Sequence, residues 1–252
     1  MRHFGGLVME AQRTALVTGA SRGIGRALVK ALVQRQWKVL ACARRPDDTG
    51  EDGKDVRRIA LDVTDERSVA ELAKTLDDQG TAVHALFNNA GVLHDRSAKV
   101  SDVDAALMSS TFDTNVNGVQ RVTAACLPSL ARSGANFKVV NVSSAMGSIA
   151  NVCRSDVGPS TNLAVSYRVS KAALNMLTAC WAAELRLTHP GAAFVAVHPG
   201  WVDTDMGSQN GRVTPPVHPA AAALAILDAH DHALPGSCAF VDTTRDNAAL
   251  PW

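Results

Sequence analysis

No apolar run in this sequence approaches the roughly 20 residues that a bilayer-spanning helix needs, so no segment reads as a membrane span. The opening stretch MRHFGGLVMEAQ also lacks the apolar core of a signal peptide. A cytoplasmic protein is the expectation, with 1–12 as an N-terminal extension and 13–252 as one domain. Neither sign of charge is in excess: 25 Lys and Arg against 24 Asp and Glu leave a formal net charge of +1. That balance exerts no pull toward nucleic acid or an anionic membrane. The five cysteines, Cys42, Cys126, Cys153, Cys180 and Cys238, are odd in number and form no CxxC. A disulfide framework or a zinc site is therefore not expected, and no His, Asp or Glu spacing argues for another metal. Aromatic residues make up only 4% of the chain, with a single tyrosine, Tyr167.

What is present is alternation. Short apolar runs, TALVT (14–18), KVLACA (38–43), VRRIALDV (56–63), VHALFN (83–88), FKVVNVS (137–143), AAFVAVH (192–198) and SCAFV (237–241), are separated by amphipathic stretches such as 25–36 and 66–79. Nearly continuous apolar strands are those covered on both faces. The pattern predicts an α/β fold: a single-domain, Rossmann-type doubly wound parallel sheet of about seven strands with helices on both faces. The segment 216–228 reads as a helix opened by a proline, and His198 as a packed residue. Two polar stretches break the rhythm, 151–163 and 207–216. Both leave the carboxyl edge of the sheet, where open α/β folds bind ligands. Either they line a substrate pocket, with Cys153, Arg154, Asp156, Trp201 and Met206 as candidate contacts, or they are solvated connections.

Thr18-Gly19-Ala20-Ser21-Arg22-Gly23-Ile24-Gly25 lies between the first strand and the first helix. Glycines there allow a tight turn and close approach of backbone to a pyrophosphate, and the helix N-terminus supplies free N–H groups. The second strand runs into Arg44-Arg45 and carries no terminal carboxylate for a ribose 2′-hydroxyl. Arg22 and Arg44 are instead placed to clamp a 2′-phosphate, which favours NADP(H); Arg45 reads as a solvated charge.

With these residues the chain resembles the short-chain dehydrogenases/reductases over nearly its full length. TGASRGIG (18–25) is similar to that family's cofactor turn. Asp62-Val63 falls on its adenine-side contact, and Asn88-Asn89-Ala90-Gly91 on its NNAG. Asn115 falls on its catalytic asparagine, and Asn141-Val142-Ser143-Ser144 on the NxSS whose last serine is catalytic. Tyr167 to Lys171 matches YxxSK, and Pro199-Gly200-Trp201-Val202-Asp203-Thr204 matches the PGxxxT turn beside the nicotinamide. The PGWVDTDMG stretch and the LPW tail look most like the C-factor/sniffer-type carbonyl reductases. The segment from Ser144 to Tyr167 is about ten residues longer than in many family members.

The resemblance implies a catalytic set of Ser144, Tyr167, Lys171 and Asn115. It implies cofactor contacts from Gly19, Ser21, Arg22, Gly23, Ile24, Gly25, Arg44, Asp62, Val63, Asn89, Ala90, Gly91, Tyr167, Lys171, Pro199, Gly200, Val202 and Thr204. Tyr167 and Lys171 stand four apart and share one helical face. An ammonium beside the phenol is expected to lower its pKa from about 10, making it a proton donor to a carbonyl. Ser144 would hold the carbonyl oxygen, and Lys171 the nicotinamide ribose. Asn115 would place a water near Lys171, and Thr204 would bond the carboxamide or cap the next turn. The implied partner is a small-molecule carbonyl substrate, and the helices 111–132 and 164–188 are the candidate faces of a homodimer. A non-catalytic dinucleotide-binding regulatory module remains the alternative. A sugar-nucleotide epimerase fits poorly, because too little chain follows the sixth strand for a substrate domain.

Overall fold

The computed structural model describes residues 12–46, 53–154 and 163–252. The expectations placed on 1–11 and on 155–162, Asp156 included, lie outside the described residues. The strands are β1 (Thr14–Thr18), β2 (Lys38–Ala43), β3 (Val56–Ala60), β4 (Ala85–Asn88), β5 (Lys138–Val142), β6 (Ala193–His198), β7 (Cys238–Asp242) and β8 (Ala248–Ala249). They form one sheet in the order β3-β2-β1-β4-β5-β6-β7-β8. All pairings are parallel except β7 with β8.

The sheet thus has eight strands where the sequence predicts about seven. The extra strand has two residues, too short to show a period. It returns through Asp246 and Asn247, both at positive φ, residue types that tolerate that region.

The helices are α1 (Gly23–Gln34), α2 (Glu66–Asp78), α3 (Ala105–Phe112), α4 (Gly118–Arg132), α5 (Ile149–Val152), α6 (Val165–Leu185) and α7 (Pro219–His232). The period-2 alternation of each strand divides its side chains between two cores. Ala15, Val17, Val140, Val195 and Val197 pack with Leu28 and Leu32 of α1 and Ile226 and Leu227 of α7. Leu16, Leu86, Val139 and Phe194 pack on the other face with Leu72 of α2, Leu130 of α4 and Trp181 of α6. This explains why the strands read as unbroken apolar runs.

Three helices have bounds that differ from expectation. The helix placed at 111–132 is α3 followed by a π-helical segment, Asp113–Asn117, and then α4. The helix placed at 164–188 is α6, and the one placed at 216–228 begins at Pro219, its first-turn proline. Among the described residues no helix is long and apolar enough to cross a membrane.

The chain reverses its winding between β1 and β4, so the carboxyl ends of these strands diverge into a crevice. A buried polar network fixes those ends. Asn88 Nδ2 donates to Asn141 Oδ1 at 2.9 Å and to Thr123 Oγ1 at 3.1 Å, and Asn141 Nδ2 donates to Thr178 Oγ1 at 2.9 Å. Strands β4 and β5 are thereby tied to α4 and α6 at the edge where ligands bind.

Candidate active site

The crevice is a cavity of about 1190 Å³ running from Arg44 and Asp62 at one end to Ser144, Tyr167 and Lys171 at the other. Gly19, Ser21, Arg22, Gly23 and Ile24 line its middle, with Asn89, Ala90 and Gly91 opposite. Val63 lies at the Asp62 end, and Pro199, Gly200, Val202 and Thr204 enclose the far side. Gly19 and Gly23 have φ of 64° and 54°, the left-handed conformation that glycine adopts without cost. Thr18 holds the turn against β4: its Oγ1 accepts from the backbone N–H groups of Asn89 and Ala90, each at 3.0 Å.

Two expected site residues do not reach the cavity. Gly25 is buried where a Cβ would run into the Gly19 carbonyl and the Asn89 amide, so its role is close packing of helix on strand. Asn115 is fully buried in the π segment. Its Oδ1 accepts from Val92 N at 2.8 Å, and its Nδ2 donates to Val92 O and to Ser170 Oγ, each at 3.0 Å. The side chain clamps the loop after β4 to α6, and these bonds engage both ends of its amide.

Tyr167 and Lys171 share a face of α6, with the Lys171 Nζ 5.4 Å from the phenol ring centroid. Lys171 is buried and donates to the Val142 carbonyl at 2.8 Å. Burial pulls its pKa down to about 8. The phenol behaves differently from the sequence expectation. Loss of hydration pushes Tyr167 up to about 12, and the Ser144 hydroxyl and the Arg96 charge only partly oppose it. Burial of the phenol outweighs the groups that favour its ionised form. Ser144 lies two residues beyond β5 and caps the next turn, its Oγ accepting from Met146 N at 3.1 Å.

Asp62 Oδ1 accepts from the Thr64 N–H at 3.0 Å, which with the nearby Arg44 charge holds its carboxyl below the usual range. Arg22 lines the cavity along with Arg44, and its guanidinium meets Asp205 at 2.6 Å across the crevice. That pair is exposed and therefore weak. Thr204 caps the following turn, its Oγ1 accepting from Gly207 N at 3.1 Å, while still lining the cavity.

The family model for short chain dehydrogenases matches residues 13–213. The chain belongs to the short-chain dehydrogenase family. It is 45% identical over 134 residues to the C-signal protein of Myxococcus xanthus, a match covering 53% of this chain and 74% of that one. The structure is similar to the carbonyl reductase from chicken fatty liver solved with NADPH bound, at a TM-score of 0.77 and 29% identity over 96% of this chain and 99% of that one. It is also similar to the carbonyl reductase Sniffer of D. melanogaster, with a TM-score of 0.81 and 25% identity, covering 96% of this chain and all of that one, 100%. This dehydrogenase is thus an oxidoreductase of carbonyl-reductase-like architecture.

Of the residues named as substrate contacts, Trp201 and Met206 line the cavity, whereas Cys153 and Arg154 do not. Sequence reasoning missed three residues of this site. His94 and Arg96 follow the NNAG strand end and line the cavity; their signal was their position on a loop at the carboxyl edge. Asp95 is buried and caps α6 from across the fold, accepting from Ser166 N at 2.5 Å. The helix needs this distant acceptor because its own N-cap, Ala164, has no side chain to satisfy the first N–H groups. Tyr167 therefore sits in the first turn of a helix capped from outside.

The opposite wall depends on Gly147. A Cβ there would stand 2.6 Å from the Lys171 carbonyl carbon and 2.7 Å from the Lys171 Cβ. The turn carrying Ser144 can approach α6 only because that atom is absent. Gly147→Ala is expected to destabilise the protein by about 2 kcal/mol through overpacking, as a lower midpoint in urea unfolding with an unchanged slope.

Proposed function

We propose that this short-chain dehydrogenase is an NADPH-dependent carbonyl reductase. The observation that carries the reading is the meeting of Ser144, Tyr167 and Lys171 at one end of a cavity whose other end holds Arg44 and whose middle is the glycine turn. The cavity suits a dinucleotide on its own terms: a helix N-terminus for the pyrophosphate, a cation for a 2′-phosphate and a buried lysine beside the reacting end.

Bound NADPH would supply the hydride. Tyr167 gives the proton to the carbonyl oxygen as negative charge develops on it. Ser144 orients that oxygen and donates a hydrogen bond to it. Lys171 holds the ribose and returns the phenolate toward its protonated form. Asn115 acts by fixing α6 against the loop after β4. A phenol displaced upward is fully protonated at neutral pH, the form that reduction requires; oxidation of an alcohol requires the phenolate.

Mixing purified protein with NADPH and a panel of ketones, aldehydes and quinones tests the reading, by loss of the reduced cofactor's absorbance. Turnover of at least one carbonyl is expected; tight NADPH binding with no turnover of any would favour the regulatory alternative. Arg44 has the clearest claim to the 2′-phosphate, since Arg22 is engaged by Asp205. Arg44→Ala is expected to lower kcat/KM with NADPH by about tenfold or more, as loss of a charge-assisted hydrogen bond implies. The value with NADH should change far less, and an equal loss with both cofactors would place Arg44 elsewhere.

A further inference from the structure

We propose that the carbonyl end of the cavity selects substrates that carry an anionic group, small oxo acids above all, and that Arg96 is the residue that binds the anion. The inference rests on the reductase reading.

Arg96 stands on the loop after β4 and lines the cavity. Its guanidinium donates to the Met206 carbonyl, on the loop after β6. It thus reaches across the opening from one loop to the other. A guanidinium has five N–H donors in a planar fork, and a single carbonyl leaves most of them available. No carboxylate of the described residues forms an ion pair with it. The nearest acid in sequence, Asp95, is turned inward onto the N-terminus of α6, and Asp205 is held by Arg22. A guanidinium in no ion pair among the described residues therefore lines the same cavity as Tyr167, whose lining also includes Asp113 and Asp203.

Two further features fix what would sit there. The Arg96 charge is close enough to Tyr167 to act on its phenol, so an anion on Arg96 and a carbonyl on Tyr167 belong to one small molecule. Met146, Trp201 and Met206 also line the cavity, as do Leu93 and His94. Trp201 is fixed by its indole N–H donating to Gly207 O at 3.0 Å. An apolar wall with one fork of donors matches a short carbon chain ending in a carboxylate or sulfonate. A neutral aldehyde would leave the fork to water.

The test compares acids with their own neutral esters, using pyruvate, acetoacetate and levulinate, each beside its methyl ester. The measured quantity is the ratio of kcat/KM for acid over ester. The wild-type protein is expected to favour at least one acid by about tenfold or more, the worth of a charge-assisted hydrogen bond. In Arg96→Gln that ratio should fall to near one. In Arg96→Lys, which keeps the charge but not the fork, it should lie between. Arg96→Gln that keeps the wild-type ratio overturns the assignment, as does a wild-type protein with no preference for any acid. The wild-type ratio stands even if the variants fold poorly. Turnover of esters with no acid preference removes only the anion site. Absence of turnover with every acid, ester and neutral quinone removes the reductase reading and this inference together.

Discussion

Replacing Tyr167 with phenylalanine is expected to lower kcat for carbonyl reduction by about a thousandfold, while the Kd for NADPH changes by less than about threefold. The first figure follows from what a positioned general acid contributes, on the order of 10²–10⁴. The second follows from the place of the lost atom. The phenol oxygen faces Ser144 at the reacting end, whereas the contacts proposed for the cofactor lie on the glycine turn, Arg44 and Lys171. The ring keeps its packing in the variant, so the loss reads on chemistry. Single-turnover kinetics combined with fluorescence titration of NADPH separate the two quantities. Equal activity of the two proteins would show that the proton comes from elsewhere, and Tyr167 would then be a wall residue. A parallel loss of binding would point to disruption of the crevice. The wild-type phenol, displaced up to about 12, also implies a direction: reduction proceeds with the donor fully protonated at neutral pH, and alcohol oxidation should accelerate as pH rises.

The fold was legible because its signals are local and repeated. The alternation of strand and helix, the glycine turn after Thr18 and the four-residue spacing of Tyr167 and Lys171 lie within short windows of sequence. The residues in those windows line one crevice. What sequence could not show depends on contacts between distant segments or on the balance of solvation. Asp205 meets Arg22 across 183 positions, and Asp95 caps a helix 71 positions away; no pattern in either neighbourhood marks the partner. The expected lowering of the Tyr167 pKa came from charge alone, and the structure adds the opposing loss of hydration. Asn115 was expected to place a water near Lys171, whereas its amide bonds to Val92 and Ser170, and its π-helical backbone has no sequence signature that periodicity would detect. The substrate end was the least legible part, since His94 and Arg96 sit on a loop whose course only the fold determines.

Lys171→Met is expected to abolish most of the activity and yet make the protein more stable at neutral pH by about 1–2 kcal/mol. The lysine is buried, and its pKa falls from 10.5 to about 8. Because its charged form is disfavoured in the folded state, keeping it protonated costs about 3 kcal/mol below pH 8. Methionine has a similar shape and removes that cost. Part of the gain is offset by the Val142 carbonyl, which loses the hydrogen bond it accepts from Nζ at 2.8 Å, worth about 1 kcal/mol. The pH dependence gives an independent check. Between about 8 and 10.5 the unfolded chain still binds a proton that the folded chain has released, so the Lys171 contribution to stability should rise with pH across that window. From 10 to about 12 the folded Tyr167 keeps a proton that the unfolded chain has lost, so stability should fall as pH rises further. Burial also holds the Cys42 and Cys126 thiols above their ordinary range, which lowers the stability of both proteins above about pH 9. Urea unfolding at pH 7 and pH 9.5 is therefore expected to show the wild type gaining on Lys171→Met, and an unchanged difference between the two would mean that the ammonium is solvated through the crevice. A site that holds a cation at the expense of stability is accounted for by the role proposed for it, binding a ribose and supporting a phenolate at the moment of proton transfer, which a better-packed residue could not fill.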